Sequence, residues 1–105
     1  MKSMKPVSRE LFVAMMIYHL TEVKKERVWF GKLVESLQEY MTQNIVSEAI
    51  DTLTDWLIIK GEYGPTDNGR AGYLMFIETH DGGDFRIKEL YDKYWDRIVG
   101  GKYGG

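Results

Sequence analysis

The sequence predicts one small α+β domain, with a three-helix core, a short strand, a two-stranded antiparallel ribbon and a further C-terminal helix. Three observations carry this expectation. Apolar residues return at three- and four-residue spacing in separate stretches along the chain. Two stretches of strand-forming residues flank a turn-rich segment that contains Pro65 and the Asn68-Gly69 pair. A length of 105 residues allows a single core and no second independent one.

Ser8 is a plausible N-cap for a first helix, in which Leu11, Phe12, Met15, Met16, His19 and Leu20 form the apolar set as far as about Val23. The charged run Lys24-Lys25-Glu26-Arg27 breaks that period. Val28-Trp29-Phe30 is too short for a helix and reads as a short strand. Helical spacing resumes from Gly31 to Tyr40 through Leu33, Val34 and Leu37, and slips again at Met41-Thr42-Gln43-Asn44, where Thr42 or Asn44 can cap the next helix. The third helix puts Ile45, Val46, Ala49, Ile50, Leu53, Trp56 and Leu57 on one face, with Gln43, Asn44, Ser47, Glu48, Asp51, Thr52 and Asp55 opposite. Two helices this close, the second with a polar outward stripe, make a helix-turn-helix candidate. Strands follow over 57–63 and 71–78, joined by a tip over 64–70, and Asp84 can cap a last helix carrying Phe85, Ile87, Leu90, Tyr91, Tyr94, Trp95 and Ile98. Residues 1–7 are then an N-terminal arm, 8–98 the folded domain with 84–98 as its terminal helix, and 99–105 a flexible Gly-rich tail.

Composition excludes several classes. With 44% hydrophobic and 29% charged residues the chain falls outside the disordered and collagen-like ranges. No apolar run approaches the length of a membrane span and no signal-peptide core follows Met1-Lys2-Ser3-Met4-Lys5, so a cytoplasmic protein without membrane contact is expected. The absence of cysteine removes disulfides, thiol catalysis and cysteine-based zinc sites. Net charge is −2, but unevenly spread: residues 1–32 hold seven bases against three acids, whereas Leu33 to Ile59 hold five acids and no base. Electrostatics alone therefore gives no case for nucleic acid.

The order helix, short strand, helix, helix, strand, tip, strand, helix resembles the winged-helix superfamily. "VWFGKLVESL" looks like its short strand and second helix, "IVSEAIDTLTDWLI" like its third helix entering the first wing strand, and "NGRAGYLMFIE" like the returning strand. The ending Leu53-x-x-Trp56-Leu57-Ile58 resembles a third helix that packs its last turn under the wing. The resemblance covers roughly residues 8 to 98 and is to small prokaryotic, especially archaeal, transcription regulators of PadR-like or MarR-like character. It implies a winged helix-turn-helix with its third helix in the major groove of double-stranded DNA, the wing near the minor groove or backbone, and a homodimer made by terminal helices.

On that reading, Thr42, Gln43, Asn44 and Ser47 would meet base edges, since Gln and Asn can bond bidentately to adenine; the alternative is an ordinary solvated turn. Lys24, Lys25, Arg27, Lys32, Lys60 and Arg70 would contact backbone or minor groove, or simply aid solubility. Leu11, Met15, Tyr91, Tyr94, Trp95 and Ile98 are expected at a dimer interface, because one small core has little room for so much apolar and aromatic area. The base-free stretch also leaves open a module that uses the acidic face of helix 3 to dock a basic protein. Chemistry has little support. His80, Asp81 and Asp84 can be drawn as a metal cluster, but flanking glycines favour a solvated loop; His19 falls among apolar positions, and no phosphate-loop, nucleophile-elbow or zincin pattern occurs. No cofactor and no enzymatic activity are expected. A regulator with an effector pocket among its aromatic residues is compatible with DNA binding and has no residue pattern behind it.

Overall fold

The computed structural model describes residues 2–66, 69–78 and 83–100, with side chains of the last segment from Arg86 onward. The described elements are α1 (Arg9–Tyr18), continued by a π-helical turn (His19–Val23), then α2 (Phe30–Leu37), α3 (Gln43–Asp55), β1 (Ile59–Pro65), β2 (Ala71–Ile77) and α4 (Gly83–Val99).

The first helix is the hub. Ser8 Oγ accepts from the Leu11 backbone N–H and starts it. Phe12, Val13, Ala14, Met15, Met16 and Ile17 are all buried, so α1 is apolar around its whole circumference and is enclosed by other elements. Near its end the Thr21 hydroxyl donates to the Ile17 carbonyl at 2.8 Å, competing for an acceptor of the α-helical ladder. The last turn widens accordingly, and the Lys24 N–H reaches back five residues to the His19 carbonyl.

Val28-Trp29-Phe30 does not form the expected strand. Trp29 makes one antiparallel bridge to Leu74, with the Met75 N–H donating to the Val28 carbonyl, while Phe30 already opens α2. The Trp29 carbonyl accepts from Leu33, which turns the chain into the helix before a ladder can extend. Helix α2 stops at Leu37, and Tyr40 follows in a turn, buried with its ring 4.7 Å from that of Phe12. Thr42 is the α3 cap, accepting from the Ile45 N–H.

The end of α3 departs most from expectation. Val46, Ala49 and Leu53 are buried and Ile45 and Ile50 half-buried, but Trp56 and Leu57 are 56% and 70% exposed and do not belong to the core face. The helix terminates at Asp55 in a Schellman arrangement: Ile58 N–H donates to the Leu53 carbonyl and Leu57 N–H to that of Thr54. This puts Leu57 at φ +59°, in the left-handed region where glycine is the usual occupant. A residue so placed cannot begin a strand, and β1 starts at Ile59 instead of Leu57. Its register with β2 runs from Ile59 opposite Ile77 to Pro65 opposite Ala71. At the far end Thr66 closes the hairpin through its N–H and hydroxyl, both donating to the Arg70 carbonyl at 2.8 Å, and Gly69 adopts φ +82°.

Helix α4 covers α1. Trp95 stacks on Phe12 (5.7 Å) and on His19 (4.6 Å), and Ile87 and Ile98 complete the seam. Tyr91 places its hydroxyl 2.7 Å from His19 Nδ1, within hydrogen-bond distance. At the other terminus, the segment read as an arm lies along the domain: Val7 is buried, Met4 packs on the core, and Lys2 bonds Glu39 through backbone and side chain. Residues 101–105, read as a flexible tail, lie outside the described residues.

Leu57→Gly should raise stability by roughly 0.5 kcal/mol, because relief of an αL cost of about 1–2 kcal/mol exceeds the added backbone entropy of glycine, about 0.5–1 kcal/mol. Urea unfolding checks it: the midpoint should rise with an unchanged slope. Burial holds the His19 imidazole below its usual range, with Lys24 adding to the effect and Glu26 opposing it. The unfolded chain therefore binds more protons than the folded one, and the His19 contribution is complete above about pH 6.5 and declines as pH falls below that towards the folded-state value. The urea midpoint should drop on acidification through this window, and His19→Gln should flatten the dependence.

Candidate nucleic-acid interface

The N-terminal turn of α3 presents Gln43, Asn44 and Ser47 to solvent, while Thr42 beside them uses its hydroxyl oxygen as the helix cap. No acid lies in this first turn. Its unpaired N–H groups and the positive end of the helix dipole therefore face outward without a competing carboxylate. Further along, spacing of four, three and four residues places Asn44, Glu48, Asp51 and Asp55 on one exposed ridge. The ridge begins with an amide and continues with three carboxylates, none in an ion pair among the described residues. Asp51 stands about 10 Å beyond Asn44 along the axis. A polyanion can approach the first turn closely and meets growing repulsion beyond it.

The basic residues before and within α2 are less available than their number suggests. Lys32 Nζ is 2.5 Å from Glu26 and 5.3 Å from the Trp29 ring centre, and its side chain is only 18% exposed. Lys24 lies 3.6 Å from the other oxygen of the same carboxylate. Glu26 thus engages two of the expected phosphate contacts; its hydrogen bond with Lys32 is the main reason its carboxyl lies below the usual range. Lys25 and Arg27 are exposed on the same loop, Lys25 at φ +58°. Lys60 is exposed on β1 and Arg70 at the hairpin end. Glu26 lies two and six residues from Lys24 and Lys32, a spacing that no helical rule pairs, and Trp29 is three residues before Lys32 but reads in the sequence as part of a short strand.

Arg70 also lines a groove of about 310 Å³ between the start of α2 and the hairpin, together with Trp29, Phe30, Thr66 and Tyr73. Beside it, Tyr63 and Tyr73 face each other across the ladder with ring centres 5.5 Å apart, and Tyr63 is 81% exposed. The Tyr73 ring lies over Gly61, where any Cβ would collide with it. These two tyrosines also escaped notice in the sequence, where their strand-forming character accounted for them.

The six residues expected at a dimer interface divide. Met15, Trp95 and Ile98 are buried within the chain itself. The core has room for them because α1 is enclosed on every side. Leu11, Tyr91 and Tyr94 are half-buried against that core. The rest of the α4 surface exposes Arg86, Lys88, Glu89, Asp92, Lys93, Asp96 and Arg97. No cluster of potential metal ligands occurs among the described residues, and His80, Asp81 and the Asp84 side chain lie outside them. No described helix is long and apolar enough to cross a membrane.

No family model matches the sequence, and no curated protein does. Among solved structures, the chain is similar to Pex from a Synechococcus strain, with 20% identity, TM-score 0.56 and coverage of 86% of this chain and 84% of that one. A PadR-like transcriptional regulator from Bacillus cereus gives 16% identity, TM-score 0.61 and 91% coverage of both chains. The circadian clock associated protein Pex from Anabaena gives 15% identity, TM-score 0.62 and coverage of 89% and 82%. Agreement over so much of each chain, together with the helical core and paired strands, shows that this protein has the winged-helix fold, with β1 and β2 as its wing.

Proposed function

We propose that the protein is a DNA-binding transcription regulator that acts as a homodimer and inserts the first turn of α3 into the major groove. The observation that carries this reading is the exposed, acid-free turn with Gln43, Asn44 and Ser47 at the start of the third helix of a winged-helix domain. Asn44 and Gln43 have the donor and acceptor pair needed for adenine, and Ser47 lies one turn behind Gln43. Lys25 and Arg27 before α2, with Lys60 and Arg70 on the wing, supply contacts to the phosphates or the minor groove on either side. Lys24 and Lys32 contribute less because Glu26 holds them. The similarity to a protein described as a PadR-like transcriptional regulator supports the same reading.

The carboxylate ridge restricts the docking pose. A helix lying lengthwise in the groove would bring Glu48 and Asp51 among phosphates, so α3 enters end-on, N-terminus first. Dimerisation uses Leu11, Tyr91 and Tyr94 with the charged outer face of α4, and a two-fold axis there presents two α3 turns to a pseudo-palindromic site.

Fluorescence anisotropy on pooled random duplexes across a salt series, with molecular mass measured alongside, tests this. Four phosphate contacts per copy correspond to a slope of log affinity against log salt of about −3.6 per copy, and Lys25→Ala or Arg27→Ala should each reduce it by about one unit. Lys32→Ala should change it by less. Absence of binding at low salt would remove the proposal. The docking pose has its own check: Glu48→Gln with Asp51→Asn should strengthen non-specific binding several-fold, whereas unchanged affinity would mean that α3 stays out of the groove.

A further inference from the structure

The corner between α3 and β1 exposes two large apolar side chains in succession, Trp56 and Leu57. The fold gains little from either. Leu57 occupies the helix-terminating position where glycine would be unstrained, and the residue is nonetheless 70% exposed. Adjacent exposed apolar residues at a strained position point to a contact made outside the chain. Trp in particular concentrates binding energy at protein interfaces.

Charge identifies what can cover this corner. Asp55 precedes Trp56 directly, Asp51 lies one turn behind, and Glu48 continues the ridge; all three are exposed without an ion pair among the described residues. From Leu33 to Ile59 there is no Lys or Arg, and Lys60 is the first cation after the corner. DNA and anionic membranes are repelled here. The corner also lies about 20 Å from Gln43, the full length of α3, and can be occupied while the first turn is engaged elsewhere.

We infer that the α3–β1 corner is a protein-docking site, in which Trp56 and Leu57 insert between apolar side chains of a partner segment whose flanking Lys and Arg residues meet Asp51 and Asp55. The partner is an amphipathic basic segment, and two anchoring side chains with a polar rim suit a weak, reversible contact. The inference does not rest on DNA binding, since its anchors Trp56 and Leu57 lie at the opposite end of the helix from Gln43 and Asn44.

The test titrates the isotope-labelled full chain with a synthetic amphipathic helix of Leu and Lys and, separately, with its Leu and Glu counterpart, following backbone amide shifts by NMR. The Lys peptide should shift amides from Asp51 to Lys60 and the Glu peptide should not. Leu57→Gly, expected to be at least as stable as the parent, should weaken the Lys peptide about tenfold, and Trp56→Ser should act in the same direction. Asn44→Ala, at the other end of α3, should leave the affinity unchanged. Equal binding of both peptides, shifts centred elsewhere, or parent-like affinity in Leu57→Gly would each overturn the assignment. So would self-association of the parent that Leu57→Gly abolishes, because a second copy would then cover the corner.

Discussion

The rest of the structure depends on the complete enclosure of one short helix. Phe12 to Ile17 place six successive buried residues on α1, and a helix apolar on all sides must be surrounded before the chain is stable. Helices α2 and α3, the β2 strand and α4 each cover part of it, with aromatic contacts from Tyr40 and Trp95 converging on Phe12. The terminal helix is therefore an integral wall of the core. A consequence for assembly is that apolar area at the α1–α4 seam is satisfied within one chain, leaving half-buried tyrosines and a charged surface as the material available to a second copy.

Charge is organised around a different principle. Glu26 holds Lys32 against the domain and pairs with the exposed Lys24, whereas the carboxylates of α3 stand unopposed in solvent. The protein thus neutralises part of its positive loop and leaves its negative helix face bare. Two ends of one helix acquire different character: the first turn has free N–H groups and neutral polar side chains, and the last turns have acids followed by an exposed Trp and Leu. The two ends of α3 thus offer unlike surfaces, separated by the length of the helix.

Much of this was legible in the sequence where local chemistry decides the outcome. Ser8 caps α1 as expected, and of the two candidates Thr42 and Asn44 it is Thr42 that caps α3. The hairpin forms where Pro65 and Gly69 suggest a turn, but its ladder extends to Pro65 opposite Ala71, so the tip is 66–70 and shorter than the expected 64–70. The readings that failed needed tertiary information. Trp56 and Leu57 fit the apolar period of α3, but a period does not reveal where the helix stops, and two residues of error turned core positions into surface ones. Met15, Trp95 and Ile98 read as surplus apolar area because periodicity assigns one buried face per helix, whereas α1 is buried around its circumference and Trp95 and Ile98 belong to the same core cluster. The pairing of Glu26 with Lys32 spans a loop and a helix start, a relation that spacing rules do not cover. The same limit applies to the candidate interface: the polar stripe of Gln43, Asn44 and Ser47 is exposed as its period indicates, whereas no spacing rule reveals that Glu26 pairs with Lys24 and Lys32.

The π-helical turn from His19 to Val23 has a geometric consequence for the basic loop that follows it. Five residues close a turn that an α-helix closes with fewer, so the turn behaves as an inserted residue at the end of a rigid element. One residue of α-helix corresponds to about 100° of rotation about the axis. The insertion therefore sets the compass bearing on which Lys25 and Arg27 leave α1, independently of the core residues from Phe12 to Ile17 that hold the helix in place. Gain or loss of a single residue in this turn would swing the loop around the axis while the enclosed part of α1 kept its packing, making the direction of the positive charge a separately adjustable property of the fold.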